Sequence, residues 1–181
     1  AHDNTPSTWQ GIIYHGSFGD SQGHFGMQMT TGRLAAGSGD GSTWVTNVTS
    51  YQVPQDAWTH IAASMNRTAG TLEIYANGAL VESFSHTAVP GATSDALNVG
   101  WGYTGATEHF DGIIDEVGIW DVALTSSQIS ALYNSGDGAR SDSITPPNAS
   151  DGAWVAGVSG SYALHFDGGN DFHFSIAVDA F

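Results

Sequence analysis

The fold is decided by one stretch of the chain, Thr71-Leu-Glu-Ile-Tyr-Ala-Asn-Gly-Ala-Leu-Val-Glu-Ser-Phe84. Apolar side chains alternate with other residues on both sides of Asn77-Gly78, which is the pattern of half-buried strands. Asn and Gly tolerate the positive φ angles of a type I′ turn, so this pair predicts a tight hairpin. The stretch therefore predicts two antiparallel strands, each with one face towards a core.

Short pieces with the same period occur on both sides of the hairpin, separated by Gly, Asn and Ser. Several short strands at close spacing with turn residues between them predict an all-β fold, a sandwich or a barrel. The pieces are Gly11–Tyr14, Gly26–Met29, Trp44–Val48, His60–Ser64, Leu97–Val99 and Ile113–Trp120.

One helix is predicted after these strands. Thr125-Ser-Ser-Gln128 has the spacing of a capping box, with Thr at the N-cap and Gln at N3. Ile129, Leu132 and Tyr133 follow at helical spacing, and Gly136 supplies a C-terminal stop. The pattern predicts about three turns of helix near residues 125–135, with an apolar stripe against a sheet.

The chain divides into a main body, a linker and a tail. Residues 1–136 hold the strands and the helix, and residues 137–152 form a polar linker stiffened locally by Pro146-Pro147. Strand patterns return in the tail, residues 153–181, at Tyr162–Phe166 and Phe172–Val178. We expect this tail to complete the same sandwich or that of a neighbouring subunit.

The charge of the chain restricts its partners. It has 181 residues with 18 acidic side chains, three arginines and no lysine, and its formal net charge is -15. Such a surface repels phosphates, which argues against nucleic acid and anionic membranes as partners and suits divalent cations. The alternative is that the acidity only keeps the protein soluble.

The chain has no cysteine, so disulfides, thiol nucleophiles and iron–sulfur clusters are excluded. No apolar run reaches the ~18 residues of a membrane span.

Three segments together resemble the laminin-G-like, concanavalin-A-like jelly-roll family. They are Trp58-Thr-His-Ile-Ala-Ala63, Leu72-Glu-Ile-Tyr-Ala-Asn-Gly-Ala-Leu-Val81 and Phe110-Asp-Gly-Ile-Ile-Asp-Glu-Val-Gly-Ile-Trp120, followed by Ala123-Leu124-Thr125 and the helix. The resemblance covers residues ~10 to 136. It implies a two-sheet antiparallel jelly-roll sandwich with Trp58 and Trp120 in its core.

The opening-strand motif of that family is displaced in this chain. It reads Ala163-Leu-His-Phe-Asp-Gly-Gly-Asn-Asp-Phe172, after the helix and the linker. Three explanations remain open: a circular permutation, a slice across two tandem repeats, or a tail that completes a neighbour by strand addition. Docking of the tail on its own body is favoured, because the opening and closing strands of a jelly roll lie side by side.

The resemblance also implies a structural calcium ion. Asp171 and Asp115 are the expected ligands, and Asp167 is the next. The Asp167–Asp171 turn offers both carboxylates and backbone carbonyls, which Ca²⁺ prefers. Strand alternation places Asp115 and Glu116 on opposite faces, so only one of them is expected to bind. The alternative is that the Asp167-Gly-Gly-Asn170 segment is a turn with a solvated carboxylate.

Exposed aromatic residues are the candidates for ligand binding. Trp101 and Tyr103 lie in the loop after Leu97–Val99, where members of the family place ligand contacts, and Trp44 is an alternative on another loop. Trp101 could equally serve loop packing. No enzyme is predicted, because the chain lacks a Glu-x-Asp-x-x-Glu strand, a Gly-x-Ser-x-Gly elbow and a phosphate loop.

Two functions follow from these residues. The first is a secreted or cell-surface, calcium-stabilised, non-catalytic module that binds extracellular glycans in adhesion or polysaccharide capture. The second is a structural subunit of an extracellular filament or sheath, assembled when the C-terminal strand is donated to a neighbouring copy. The displaced motif favours assembly, and the Trp101–Tyr103 loop favours ligand binding. Neither function involves nucleic acid or insertion into a membrane.

Overall fold

The computed structural model describes residues 9–16, 25–40, 42–88, 96–100, 108–136, 154–156, 162–164 and 172–180. Twelve strands and one α-helix are found among them. The strands are β1 (Trp9–His15), β2 (Phe25–Thr30), β3 (Arg33–Gly39), β4 (Trp44–Gln52), β5 (Trp58–Asn66), β6 (Thr71–Ala76), β7 (Ala79–Ser85), β8 (Leu97–Val99), β9 (Gly112–Trp120), β10 (Trp154–Ala156), β11 (Tyr162–Leu164) and β12 (Phe172–Ala180), and the helix is α1 (Ser126–Tyr133).

Two five-stranded antiparallel sheets form the body. Sheet A has the strand order β4-β3-β2-β1-β8, and sheet B has the order β7-β6-β5-β12-β9. The short strands β10 and β11 pair with each other in a separate two-stranded sheet. The prediction of an all-β jelly-roll sandwich with one short helix near residues 125–135 is confirmed.

The main core lies between the two sheets and is filled by alternate residues of their strands. Sheet A contributes side chains such as Met27 and Leu34, and sheet B contributes Ile61 and Ile74, all 0 % exposed. Burying a side chain of this size stabilises the fold by about 1.5–3 kcal/mol. Because strand residues alternate between faces, these inward positions determine which residues lie on the two outer faces.

The predicted hairpin at Asn77-Gly78 is confirmed. Both residues have positive φ angles, 49° and 74°, as a type I′ turn requires. The same geometry recurs at Thr31-Gly32, with φ angles of 50° and 75° between β2 and β3. This second hairpin was not predicted, because a β-branched threonine is an unusual choice for a positive φ angle.

The helix α1 packs on the outer face of sheet B. Its capping box is confirmed: Thr125 Oγ1 accepts from the Gln128 backbone N–H, and Gln128 Oε1 accepts from the Thr125 N–H. Ile129 and Leu132 are buried against Ala62 of β5 and Trp120 of β9. The helix is shorter than predicted, because Asn134 takes the left-handed conformation at the C-cap before Gly136 is reached.

A β-bulge in β9 resets the alternation of that strand. Gly118 lies opposite Ser175 and Asp115 opposite Ala177, so Glu116 and Val117 together face one residue of β12. Glu116 has a φ angle of 52°, and its backbone N–H donates to Asp115 Oδ1 at 2.8 Å. The extra residue lets both Ile114 and Ile119 contact the main core although they are five positions apart. The expectation that Asp115 and Glu116 point to opposite faces assumed regular alternation, which the bulge interrupts at Glu116. Both residues are exposed.

The strand β12 lies inside sheet B, between β5 and β9. It pairs antiparallel with β5 from Phe172 opposite Met65 to Asp179 opposite Trp58. It pairs antiparallel with β9 from His173 opposite Trp120 to Ala180 opposite Gly112. Within the described residues, β9 pairs with no other strand.

The two tryptophans expected in the core behave differently. Trp120 is 1 % exposed and packs under α1, which confirms its prediction. Trp58 is 52 % exposed, so its prediction is wrong. It begins β5 on the outer face of sheet B, because Thr59 and Ile61 occupy the inward positions of that strand.

The hairpin turn at Gly78 should be sensitive to substitution because it lies under α1. A Cβ atom at Gly78 would be 3.0 Å from Tyr133 Cβ and 3.2 Å from Ser130 Cα, at a φ angle of +74°. We expect Gly78→Ala to lower the free energy of unfolding by about 2–4 kcal/mol through backbone strain and overpacking. Chemical denaturation measures this change.

Gly70→Ala is the matched control. Gly70 also has a positive φ angle, +65°, but a Cβ atom there would meet only Thr87 Cγ2 at 3.6 Å. Its expected cost is about 1 kcal/mol, from the backbone conformation alone. Equal losses in the two variants would show that α1 does not press on the turn.

Candidate functional site

The outer face of sheet A carries one row of residues that runs across the whole sheet. Directly paired residues share a face, and the register pairs Asn98 with Tyr14, Tyr14 with Gly26, Gly26 with Gly37 and Gly37 with Thr46. Ile13 and Met27, the neighbours of Tyr14 and Gly26, point into the main core. The row itself therefore faces away from the core.

Glycine makes room for the Tyr14 ring on this face. A Cβ atom at Gly26 would lie 2.6 Å from Tyr14 Cδ2, so the ring covers the position that a side chain would occupy. A Cβ atom at Gly37 would collide with the Val45 carbonyl oxygen, so β4 also approaches closely there. Glycine inside a strand is typical of such close approaches.

Trp44 completes an aromatic pair with Tyr14. The two ring centroids are 5.0 Å apart and the planes are inclined by 28°, which is a stacked arrangement. Tyr14 is 1 % exposed, whereas Trp44 at the start of β4 is partly exposed. The pair thus presents Trp44 to solvent on a support that Tyr14 provides.

Hydrogen-bonding side chains surround this pair. Thr46 and Asn98 stand at the two ends of the row that contains Tyr14, and both are partly exposed. Gln28 lies on the same face, because its neighbours Met27 and Met29 point inward, but it is only 4 % exposed. We call these five residues, Tyr14, Gln28, Trp44, Thr46 and Asn98, the aromatic face.

The turn before β4 fixes the position of Trp44. The Asp40 carboxylate accepts from the backbone N–H groups of Ser42 at 2.8 Å and Thr43 at 2.6 Å, and from Thr43 Oγ1 at 3.2 Å. The hydrogen bonds from Thr43 and Ser42 hold the pKa of Asp40 below its usual value. The carboxylate thus closes the connection that leads directly into Trp44.

A buried polar cluster anchors β4 from its inner side. His86 is 2 % exposed, and its Nε2 lies 2.8 Å from Ser38 Oγ while its Nδ1 lies 2.8 Å from Asn47 Nδ2. An amide nitrogen only donates, so Nδ1 accepts and Nε2–H donates to Ser38. Burial lowers the pKa of His86, which favours the neutral ring that this arrangement needs. The cluster ties β3 and β4 to the segment after β7.

Of the three residues predicted to bind a ligand, Trp44 alone lies within the described residues. Trp101 and Tyr103 lie outside them, and β8, the strand before them, pairs with Ile13–His15 of β1. Tyr14 and Asn98 were missed. The available signal for Tyr14 was the glycine inside the strand-like segment Gly26–Met29, since such a glycine indicates that a ring or backbone lies close.

The predicted metal ligands are only partly within the described residues. Asp115 is exposed on β9, whereas Asp167 and Asp171 lie outside the described residues. Ala177 is the residue of β12 opposite Asp115, and the acidic position of β12 nearest to it in register is Asp179, opposite Ile113. In the described part of the chain, no group of three or more His, Asp or Glu residues could hold an ion. One carboxylate does not supply the six to eight oxygens that Ca²⁺ takes, so the calcium site stays a prediction.

The outer face of sheet B carries a second exposed aromatic side chain. Trp58 is 52 % exposed and Ile113 is 48 % exposed, and both lie opposite Asp179 of β12. Trp58 and Ile113 therefore share one face at the end of the sheet where β5 begins. Among the ring contacts found in the described residues, no aromatic ring packs against Trp58 as Tyr14 packs against Trp44.

Comparison with known families agrees with the fold. A family model described as belonging to the concanavalin A-like lectin/glucanases superfamily, of the laminin-G-like type, matches residues 2–130. The chain therefore belongs to this superfamily. Domains of this type are generally non-catalytic carbohydrate-binding or recognition modules, although the superfamily also includes glucanases.

One solved structure resembles the chain at low identity. It is an S-layer domain-containing protein from Clostridium thermocellum, with 19 % sequence identity and a TM-score of 0.40. The match covers 74 % of this chain and 66 % of that chain. The search of curated proteins found no match. None of the helices in the described residues is both long and apolar enough to cross a membrane.

Proposed function

We propose that the protein is a non-catalytic recognition module that binds extracellular glycans through the aromatic face of sheet A. The observation that carries this proposal is the partly exposed Trp44 ring, stacked on Tyr14 at a centroid distance of 5.0 Å. A supported ring of this kind loses little conformational freedom when a ligand covers it. The sequence-based candidates Trp101 and Tyr103 are proposed as further contacts from the segment after β8.

The chemistry of the aromatic face matches that of a sugar ring. A pyranose has one face of C–H groups, which packs on the negative face of an aromatic ring, and a rim of hydroxyl groups that donate and accept hydrogen bonds. Trp44 offers the ring, and the partly exposed side chains of Thr46 and Asn98 offer both donors and acceptors. All of these groups are neutral, which suits a ligand without charge on an acidic protein.

Binding without hydrolysis is proposed on the basis of the sequence. The strand motif that places two carboxylates on one face is missing, and a retaining glycosidase needs such a pair about 5–5.5 Å apart. A secreted or cell-surface location is proposed with it.

Binding to an array of polysaccharide fragments tests the function. We expect the wild-type protein to bind at least one neutral glycan, and Trp44→Ala to weaken that binding by about tenfold or more, since the stacking contact is worth about 1.4 kcal/mol. Isothermal titration with the best glycan of the array measures the loss. Trp44→Phe should keep most of the affinity because it keeps a ring on Tyr14.

Trp58→Ala is the matched control, because it removes an exposed tryptophan from the opposite sheet. Its affinity should equal that of the wild type. The proposal is wrong if no glycan binds at high protein density, or if Trp58→Ala loses as much affinity as Trp44→Ala.

Calcium is proposed as a structural ligand, with Asp115, Asp171 and Asp167 as the expected carboxylates. We expect chelation with EDTA to lower the melting temperature, because an ion that binds only the folded state stabilises it. Asp115→Asn should reduce the calcium-dependent part of the melting temperature, whereas Asp40→Asn, a change in a carboxylate of sheet A, should leave that part intact. An identical melt with and without EDTA would refute a structural calcium ion.

A further inference from the structure

The position of β12 in sheet B defines a slot that is one strand wide. β12 pairs with β5 on one side and with β9 on the other. With strand spacings of about 4.8 Å, β5 and β9 lie about 9.6 Å apart. Without β12, both would face the gap with unpaired backbone N–H and C=O groups, which is the arrangement that recruits an extended segment.

The chain that leads to β12 is long. Residues 137–171 separate the end of the helical region from Phe172. Within the described part of this connection, β10 and β11 pair with each other and with neither sheet of the body. The described strands of this connection, β10 and β11, therefore do not pair β12 with the body of the sandwich. A longer tether lowers the effective concentration of the segment that it carries, which lessens the advantage of the chain's own β12 over that of a second copy.

We propose that the slot between β5 and β9 also accepts β12 from a second copy of the chain, so that copies join by strand exchange. A second copy is the partner that fits, because a strand in the slot must pair in register with β5 and with β9 at the same time. The donor must pair continuously with β5, and it must also place one residue against the Glu116–Val117 bulge of β9. The segment Phe172–Ala180 meets both conditions, and an identical chain carries the identical segment.

The charge distribution predicts how salt affects this exchange. The chain has a net charge of -15, but Phe172–Ala180 contains Asp179 as its single acidic residue. Repulsion between two bodies therefore opposes exchange, whereas the donated strand itself adds little to it. Raising the salt concentration from about 0.01 M to about 1 M shortens the Debye length from ~30 Å to ~3 Å and should favour exchanged copies.

Two full-length variants separate the donor from the acceptor. Ile176→Pro disrupts β12 at its centre and leaves the residues of the slot unchanged, because proline removes one ladder N–H and fixes a φ angle that a central strand does not accept. Gly118→Pro damages the slot in β9 and leaves β12 intact as a donor. Gly118 lies opposite Ser175 in the pairing of β9 with β12.

The first measurement adds a fluorescent synthetic peptide of residues 171–181 to the Ile176→Pro protein. We expect one peptide to bind per chain and to restore the cooperative thermal transition, while the same peptide with Ile176→Pro does neither. This readout holds whether or not the variant folds alone. An Ile176→Pro protein that ignores the peptide, either with a wild-type melt or with a lost transition that the peptide does not restore, overturns the proposal.

The second measurement mixes the two variants and determines mass by size-exclusion chromatography with light scattering. We expect a one-to-one heterodimer that neither variant forms alone, and a larger heterodimer fraction at high salt. Two separate monomers in the mixture would overturn the assignment of a second copy as the partner, even if the peptide binds.

Discussion

The pairing of β12 on both of its sides is the interaction on which the rest of sheet B depends. Within the described residues, β9 pairs with β12 alone, so β9 joins the sheet through that strand. β9 carries Ile119 into the main core and Trp120 under the helix. The burial of β9 and the packing of α1 on it therefore depend on β12, which follows both of them in the chain.

The parts of the fold that the sequence predicted are those with strong local chemistry. Asn77-Gly78 and the Thr125–Gln128 capping box are such cases, because each conformation is set by a few neighbouring residues. β3 was missed because its sequence, Arg33-Leu-Ala-Ala-Gly-Ser-Gly39, is rich in small residues with no strong strand preference. Pairing with β2 and β4 on both sides overrides that weak preference.

Non-local packing accounts for the remaining differences. Trp58 lies in a family motif, but Thr59 and Ile61 take the inward positions of β5, so the Trp58 side chain points outward. No element of the described chain covers it enough to bury it. The bulge at Glu116 depends on the register between β9 and β12, which local sequence does not set. Aromatic residue type was sufficient to select Trp44, whereas its support by Tyr14 depends on two strands far apart in the chain.

The two outer faces of the sandwich have different characters. Sheet A presents a supported aromatic ring among neutral polar side chains, and sheet B presents α1 and the exposed pair Trp58 and Ile113. Under the proposed function, sheet A recognises the ligand, while sheet B holds β9 through its pairing with β12. The inner cluster of Ser38, Asn47 and His86 joins the two sheets at one edge, so β4 with Trp44 is held to sheet B by polar contacts as well as by the core.

A disulfide between β9 and β12 tests the placement of β12 most directly, because the natural chain has no cysteine. Ile113 and Asp179 lie directly opposite each other, and such pairs have Cα atoms about 4.5–5.5 Å apart, within disulfide range. We predict that oxidation of the variant with Ile113→Cys and Asp179→Cys at low protein concentration gives a cross-linked monomer in high yield, while Ile114→Cys with Asp179→Cys does not. No cross-link in the first variant, or equal yields in both, would contradict the position of β12 beside β9.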